Sequence, residues 1–277
     1  MSNLVSTQWL AAHLTDLDMV VLDATWHLPP AKRNARDEFL GAHITGAQFF
    51  DVDKTSDFSS TLPHTLPTAS QFTAQMGALG ISNSTCVVVY DSYGLFSAAR
   101  CWWMFKIFGH GNMAVLDGGL KKWLAEGRSV QTGEPHVPKP AQFSGVLNHL
   151  MVRNMVEVAA GPAQIADARS PTRFRGEEAE PRPGVRAGHI PGARNVHYAS
   201  VLAADGTLRP RPELLNLFAS AGLNVDQPIV TSCGSGVTAA ILSLALTELG
   251  AKNHALYDGS WTEWGSGTMP IATGPAV

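Results

Sequence analysis

A single cysteine set between an apolar strand-like run and an apolar helix-like run carries the most chemistry in this chain. The stretch is Ile229-Val230-Thr231-Ser232-Cys233-Gly234-Ser235-Gly236-Val237-Thr238-Ala239-Ala240. Gly234 and Gly236 are free to take φ > 0, so the loop curls with its backbone N–H groups pointing inward, and a loop of that kind is an anion cradle. A helix starting near Thr238 adds unsatisfied N–H groups and the positive end of its dipole, and both lower the cost of a thiolate at Cys233. The competing reading is a buried structural thiol at a strand end. Exposure and electropositive surroundings separate the two. Metal chemistry has little to stand on: the ten histidines form no His-x3-His pair on a helix, and no Cys/His cluster has ligand spacing. Gly118-Gly119 and Asp258-Gly259 follow strand-like runs without the Lys-Ser/Thr of a phosphate loop, so they read as turns.

The elements that must position Cys233 follow from periodicity. Short β-branched runs at 87–90 and 229–231 alternate with helix-like segments at 97–108, 212–221 and 238–249, and Pro212 and Glu213 suit a helical first turn. Strands and helices alternating at this length imply an α/β fold, a mostly parallel sheet flanked by helices on both faces. An open sheet of that kind works at the carboxyl ends of its strands, where the Cys233 loop falls. Trp102, Trp103, Trp123, Trp261 and Trp264 read as core or domain-interface anchors.

Composition bounds the function classes. With 277 residues, 45% of them hydrophobic and 16% charged, the chain is able to bury a large core or two of ordinary size. A net charge of −3 with scattered Lys and Arg argues against nucleic-acid partners. Residues 1–14 lack a basic start and an unbroken apolar stretch, so no export signal is expected. The run at 239–249 is too short to span a bilayer, so no membrane association is expected either. Three cysteines, Cys86, Cys101 and Cys233, without a C-x-x-C pair, point to a reducing, cytoplasmic setting rather than a disulfide framework.

The chain also repeats itself at an offset of 141–146 residues. Val20-Val21-Leu22-Asp23-Ala24 answers to Gln164-Ile165-Ala166-Asp167-Ala168, and Gly41-Ala42-His43-Ile44-Thr45-Gly46-Ala47 answers to Ala187-Gly188-His189-Ile190-Pro191-Gly192-Ala193. Cys86–Tyr90 followed by Asp91 matches the run that ends in Cys233, and Val115-Leu116-Asp117-Gly118-Gly119 matches Leu256-Tyr257-Asp258-Gly259-Ser260. A period of this length is a duplicated domain, since each copy is able to close its own core. The expected organisation is a first domain at 1–130, a linker at 131–148 marked by Gly133, Pro135, Pro138 and Pro140, and a second domain at 149–277. Asp91 stands where Cys233 stands, so the first domain lacks the nucleophile.

The cysteine-started loop, the twin His-Ile-x-Gly-Ala segments and Tyr257-Asp258-Gly259-Ser260-Trp261 together resemble the two-domain rhodanese sulfurtransferases, over about residues 6–265. Within that family the Cys233–Thr238 loop is similar to that of members acting on 3-mercaptopyruvate, whereas thiosulfate-using members carry Arg and Lys where Gly234 and Ser235 stand. Thiosulfate is a compact dianion that wants cations beside its sulfur. Mercaptopyruvate holds its charge on a distant carboxylate, so a neutral loop suits it. The resemblance places the substrate-binding arginines at Arg173 and Arg182, where a forked guanidinium matches a carboxylate beside a ketone. Gly234, Gly236, Val237 and Thr238 complete the substrate loop. Read alone, the segment around Arg173 is a solvated charged loop, and Arg175 and Arg186 are rival positions.

The resemblance further implies that Asp53 and His64 face Cys233 across the cleft separating the halves, and that with Ser235 they form a proton-transfer set. Asp51 is the rival carboxylate. His43 and His189 read as loop pins held by hydrogen bonds. The implied reaction needs no cofactor: Cys233 takes sulfur from 3-mercaptopyruvate as a persulfide and passes it to a thiol, to thioredoxin or to cyanide. Thiosulfate:cyanide sulfur transfer is the nearest alternative. A non-catalytic sulfur-carrier or binding module would dispense with Cys233. A loop phosphatase would need an arginine where Ala239 and Ala240 stand.

Overall fold

The runs Cys86–Tyr90 and Ile229–Ser232 are apolar or β-branched nearly throughout, and in the computed structural model they are buried almost end to end, as central strands of parallel sheets must be. The structure describes residues 2–276. In the first half, β1 (Leu4–Val5), β2 (Met19–Asp23), β3 (Gln48–Phe49), β4 (Cys86–Tyr90) and β5 (Met113–Leu116) form a five-stranded sheet in the order β1-β5-β4-β2-β3. In the second, β6 (Val152–Arg153), β7 (Gln164–Asp167), β8 (Arg194–Asn195), β9 (Ile229–Ser232) and β10 (His254–Tyr257) form another in the order β6-β10-β9-β7-β8. Every pairing in both sheets is parallel, and the two orders are the same topology met twice. The duplication read from the sequence is therefore a duplication of fold.

Ten α-helices accompany the sheets among the described residues. Each central strand is followed by a helix that is buried around nearly its whole circumference: α1 (Ala98–Ile107) after β4 and α3 (Ala239–Glu248) after β9, with α2 (Pro171–Arg175) following β7. Such helices have no face for water and must sit inside. Trp102 and Trp103 on α1, with Trp123, Trp261 and Trp264, are all core residues. No helix among the described residues is long and apolar enough to cross a membrane.

The chain divides into two compact units whose edges differ from the sequence expectation. The first comprises Met1–Phe58, Leu66–Asn148 and Ala204–Leu208; the second comprises Ser59–Thr65, His149–Ala203 and Arg209–Val277. Two short segments thus belong to the unit of the other half. Within the first unit, Leu208 N–H donates to Asp117 Oδ1 at 2.8 Å, and Lys122 pairs with Asp205 at 2.8 Å. Residues 131–148, expected as a linker, are tied to that unit by long-range bonds. Ala141 N–H donates to Gly77 C=O at 2.9 Å, Asn83 bonds Ser144 in both directions, and Phe143 is buried against Phe72 and Phe105. A Cβ at position 77 would stand 2.7 Å from the Ala141 carbonyl oxygen, so this strap requires the glycine.

Candidate active site

Cys233 follows directly on β9, and only 2% of it is exposed. The loop after it is pinned from outside. Cys233 N–H donates to Ser260 Oγ at 3.3 Å, its carbonyl accepts from Trp261 N–H at 3.0 Å, and the Gly234 carbonyl accepts from Thr262 N–H at 2.9 Å and Thr262 Oγ1 at 2.6 Å. With the carbonyls turned away, the N–H groups of Ser235, Val237 and Thr238 find no acceptor among the described residues. Gly236 takes φ +78°, as expected, but Gly234 does not adopt a left-handed conformation. A Cβ there would stand 3.2 Å from Arg173 Nη2. Thr238 is the N-cap residue of α3 and makes no side-chain cap, so the first turn of that helix is open.

The first unit shows what this loop frame binds. The Asp91 carboxylate, at the position of Cys233, accepts from the N–H groups of Tyr93 at 2.9 Å and Gly94 at 3.1 Å through Oδ1. Through Oδ2 it accepts from Phe96 at 2.6 Å and Ala98 at 2.8 Å. These donors correspond to Ser235, Gly236, Thr238 and Ala240 at the repeat offset. Burial raises the pKa of the Asp91 carboxyl, and the four N–H bonds oppose that rise. One copy of the loop is thus an anion cradle filled by its own side chain. In the other copy, a thiol stands in the carboxylate's place.

Arg173, on α2, reaches that loop from the side. Its Nη2 donates to Glu180 Oε2 at 2.5 Å, and the opposite edge of the same carboxylate accepts from Arg169 Nη1 at 2.7 Å. Arg169 in turn grips Asp167 at 2.6 Å, donates to the Gly188 carbonyl at 2.8 Å and lies 4.5 Å over the Trp261 ring. Arg169 and Glu180 carry no motif that marks them in the sequence taken alone. Asp167 ends β7, and its register beside β9 brings the chain of charges to the loop. Arg175 turns instead to Glu177 at 2.7 Å and lines a different cavity of about 460 Å3 with Arg194, Asn195 and Gly222. Arg186 is spent on the carbonyls of Gly265, Trp264 and Met269. Arg182 lies half-buried in the bend two residues after Glu180.

His64 belongs to the same unit as Cys233, and its Nδ1 lies 2.9 Å from Ser235 Oγ, with both residues buried. Its φ of +61° is uncommon for a residue with a Cβ, and such conformations gather at functional sites. Asp53 lies in the first unit, where both carboxylate oxygens accept from Trp26 Nε1 at 3.1 and 3.2 Å. Asp51, the rival carboxylate, caps the turn at Lys54 N–H. His43 and His189 repeat one arrangement: each ring stacks on a phenylalanine, Phe39 or Phe174, and its Nδ1–H donates to that residue's carbonyl at 2.7 Å. Among the described residues, no group of three or more His, Cys, Asp or Glu side chains could hold a metal ion.

The family model described as the rhodanese-like domain matches the chain twice, at residues 6–126 and 153–266. The chain belongs to the rhodanese family. It is 42% identical over 267 residues to the 3-mercaptopyruvate sulfurtransferase of Escherichia coli K12, covering 95% of this chain and 94% of the relative. To the mouse 3-mercaptopyruvate sulfurtransferase it is 40% identical, covering 94% and 91%. The crystal structure of SseA from Escherichia coli superposes with a TM-score of 0.86 at 39% identity, covering 94% of this chain and 99% of that one.

In this rhodanese, both copies keep the pins of the fold. Leu120 N–H donates to the Asp91 carbonyl at 2.9 Å as Trp261 N–H does to that of Cys233, and His43 and His189 match. What differs is charge. Position 25 is threonine where Arg169 stands in the second copy, so the guanidinium at the end of β7 accompanies the cysteine. That correlation between copies was available in the sequence as a signal for Arg169. Glu180 had none, since two neighbouring glutamates, Glu177 and Glu178, are exposed and only its own side chain is buried.

Proposed function

We propose that this rhodanese is an enzyme that moves the sulfur of 3-mercaptopyruvate through a Cys233 persulfide to a thiol or cyanide acceptor. The observation that carries the reading is the pair of loops: the loop that closes four N–H groups on the Asp91 carboxylate in one unit sets Cys233 at the carboxylate's position in the other, with Arg173 Nη2 beside Gly234. Exposure alone would class Cys233 with structural thiols. Its place decides otherwise: it stands where the repeat holds the Asp91 carboxylate, at the mouth of a helix whose first turn carries no side-chain cap. The names of the relatives, 3-mercaptopyruvate sulfurtransferases at about 40% identity, agree.

The reaction balances without an external oxidant or a cofactor. The Cys233 thiolate attacks the donor sulfur, an S–S bond forms as the C–S bond breaks, and the carbon leaves as the enolate of pyruvate. The donor's thiol hydrogen ends on that carbon, giving pyruvate and a Cys233 persulfide. The hydrogen bond between Ser235 and His64 supports their assignment to that proton, and Asp53 joins them on the family resemblance. Arg173 and Arg182 hold the carboxylate and ketone, and the N–H groups around Gly234, Gly236, Val237 and Thr238 hold the developing charge. The persulfide is discharged by a nucleophile: a small thiol, reduced thioredoxin or cyanide. A reducing cytoplasm suits this chemistry, since acceptor thiols are kept reduced there.

Thiosulfate is a secondary donor in this reading, because no lysine or arginine side chain follows Cys233 in the loop. Steady-state pyruvate release from 3-mercaptopyruvate, measured beside thiocyanate formation from thiosulfate with cyanide as common acceptor, tests it. The first is expected to have the higher kcat/KM. A higher value for thiosulfate overturns the donor assignment.

A further inference from the structure

The geometry points to Glu180, clamped between Arg169 and Arg173, as a positioning residue that aims Arg173 at the Cys233 loop and sets the choice of sulfur donor. The inference rests on the proposed sulfurtransferase reading and deepens it. Four charges stand in a row, Asp167, Arg169, Glu180 and Arg173, with successive contacts of 2.6, 2.7 and 2.5 Å. The first three side chains are at most 4% exposed; that of Arg173, at the end nearest Gly234, is 15% exposed. A buried row of this kind is rigid, since each carboxylate is held by guanidinium N–H groups and moving one member strands another.

Two consequences follow for Arg173. The first is aim. Nε, at 3.4 Å, and Nη2 both face Glu180, so the guanidinium plane is set by that carboxylate while Nη2 rests beside the Cα of Gly234. A planar fork binds a carboxylate well only when its plane is fixed beforehand. The second is charge. Arg173 comes to the loop already neutralised, and the row as a whole sums to zero. A compact dianion gains little from such a site, whereas a donor that needs one directed hydrogen bond loses little. Arg169 ties the row to the loop's other flank as well, because it stacks on Trp261, whose N–H holds the Cys233 carbonyl.

The two roles separate in substitutions. Glu180→Gln keeps the size of the side chain but removes its charge, so the aim loosens and one positive charge is uncovered beside the loop. Glu180→Asp keeps the charge and withdraws it by one methylene. For Glu180→Gln we expect kcat/KM for 3-mercaptopyruvate to fall about ten- to a hundredfold, chiefly in kcat, the range set by a lost charge-assisted bond. The ratio of thiosulfate to 3-mercaptopyruvate efficiency should rise at least severalfold. Glu180→Asp should lower kcat without moving that ratio. In an Arg173→Ala background, both substitutions should have little further effect.

Unchanged kcat and donor ratio in Glu180→Gln overturn the proposal, as does a loss of equal size in the Arg173→Ala background, since Glu180 would then act elsewhere. If thermal melting shows that Glu180→Gln does not fold, the Glu180→Asp cycle decides; if neither folds, Glu180 serves the fold and not the aim of Arg173. A wild-type chain that releases no pyruvate from 3-mercaptopyruvate fails differently. It removes the donor reading itself, and the Glu180 proposal with it.

Discussion

Three thiols in one chain separate by what surrounds them. Cys101 is wholly buried within α1, and burial pushes its thiol well above the ordinary range; burial also raises that of Cys86. Neither sits at a loop of open N–H groups. Cys233→Ser is therefore expected to abolish sulfur transfer while the fold persists, because the oxygen is unable to carry a persulfide and the volume hardly changes. Cys86→Ser and Cys101→Ser should retain transfer. Mass spectrometry after exposure to donor without acceptor should find one added sulfur atom on Cys233, and its appearance on Cys86 or Cys101 instead would refute the assignment.

At the scale of elements, the strand–loop–helix unit is the device, and it occurs twice. β9, its loop and α3 hold Cys233 as β4, its loop and α1 hold Asp91. The first copy holds the Asp91 carboxyl in its cradle, and the four N–H bonds to it organise the turn into α1. In Asp91→Asn the amide nitrogen replaces one oxygen and faces the N–H groups of Phe96 and Ala98 or of Tyr93 and Gly94. A loss of stability of about 2–4 kcal/mol is expected, the size of one or two charge-assisted bonds lost in a buried place. Urea denaturation followed by circular dichroism measures it, and an unchanged midpoint would mean that the carboxylate does not organise this loop.

For the molecule as a whole, duplication leaves one copy with an electrostatic debt. Asp167 is paired with Arg169, but its counterpart Asp23 has Thr25 in place of the arginine, and burial raises its pKa to about 6. A carboxyl with a folded-state pKa above its usual value binds its proton more tightly when folded. The penalty is absent below about pH 4, grows as pH rises through 6 and is complete above it. A rise of that size corresponds to about 3 kcal/mol at neutral pH. Asp23→Asn should therefore gain stability relative to the wild type between pH 4 and pH 7, read from denaturation midpoints at each pH. A difference that stays constant with pH would show that Asp23 does not titrate in this range.

The α/β class, the duplication and the nucleophile loop were legible in the sequence because each is local or periodic: β-branched runs, apolar helices and glycines beside a cysteine declare themselves within a dozen residues, and a repeat declares itself by comparison with the same chain. Tertiary structure alone decided what depends on distant partners. The run at 131–148 has no period, yet it is held by Gly77, Asn83 and Thr73, residues some sixty to seventy positions away. His64 meets Ser235 across 171 residues, within a unit to which its own half of the chain does not otherwise belong. Gly234 does not turn left-handed, and only the fold brings a guanidinium to 3.2 Å from where its Cβ would stand. Glu180 looks like its exposed neighbours until folding buries it between two arginines. A buried charge is defined by partners that only the fold assembles.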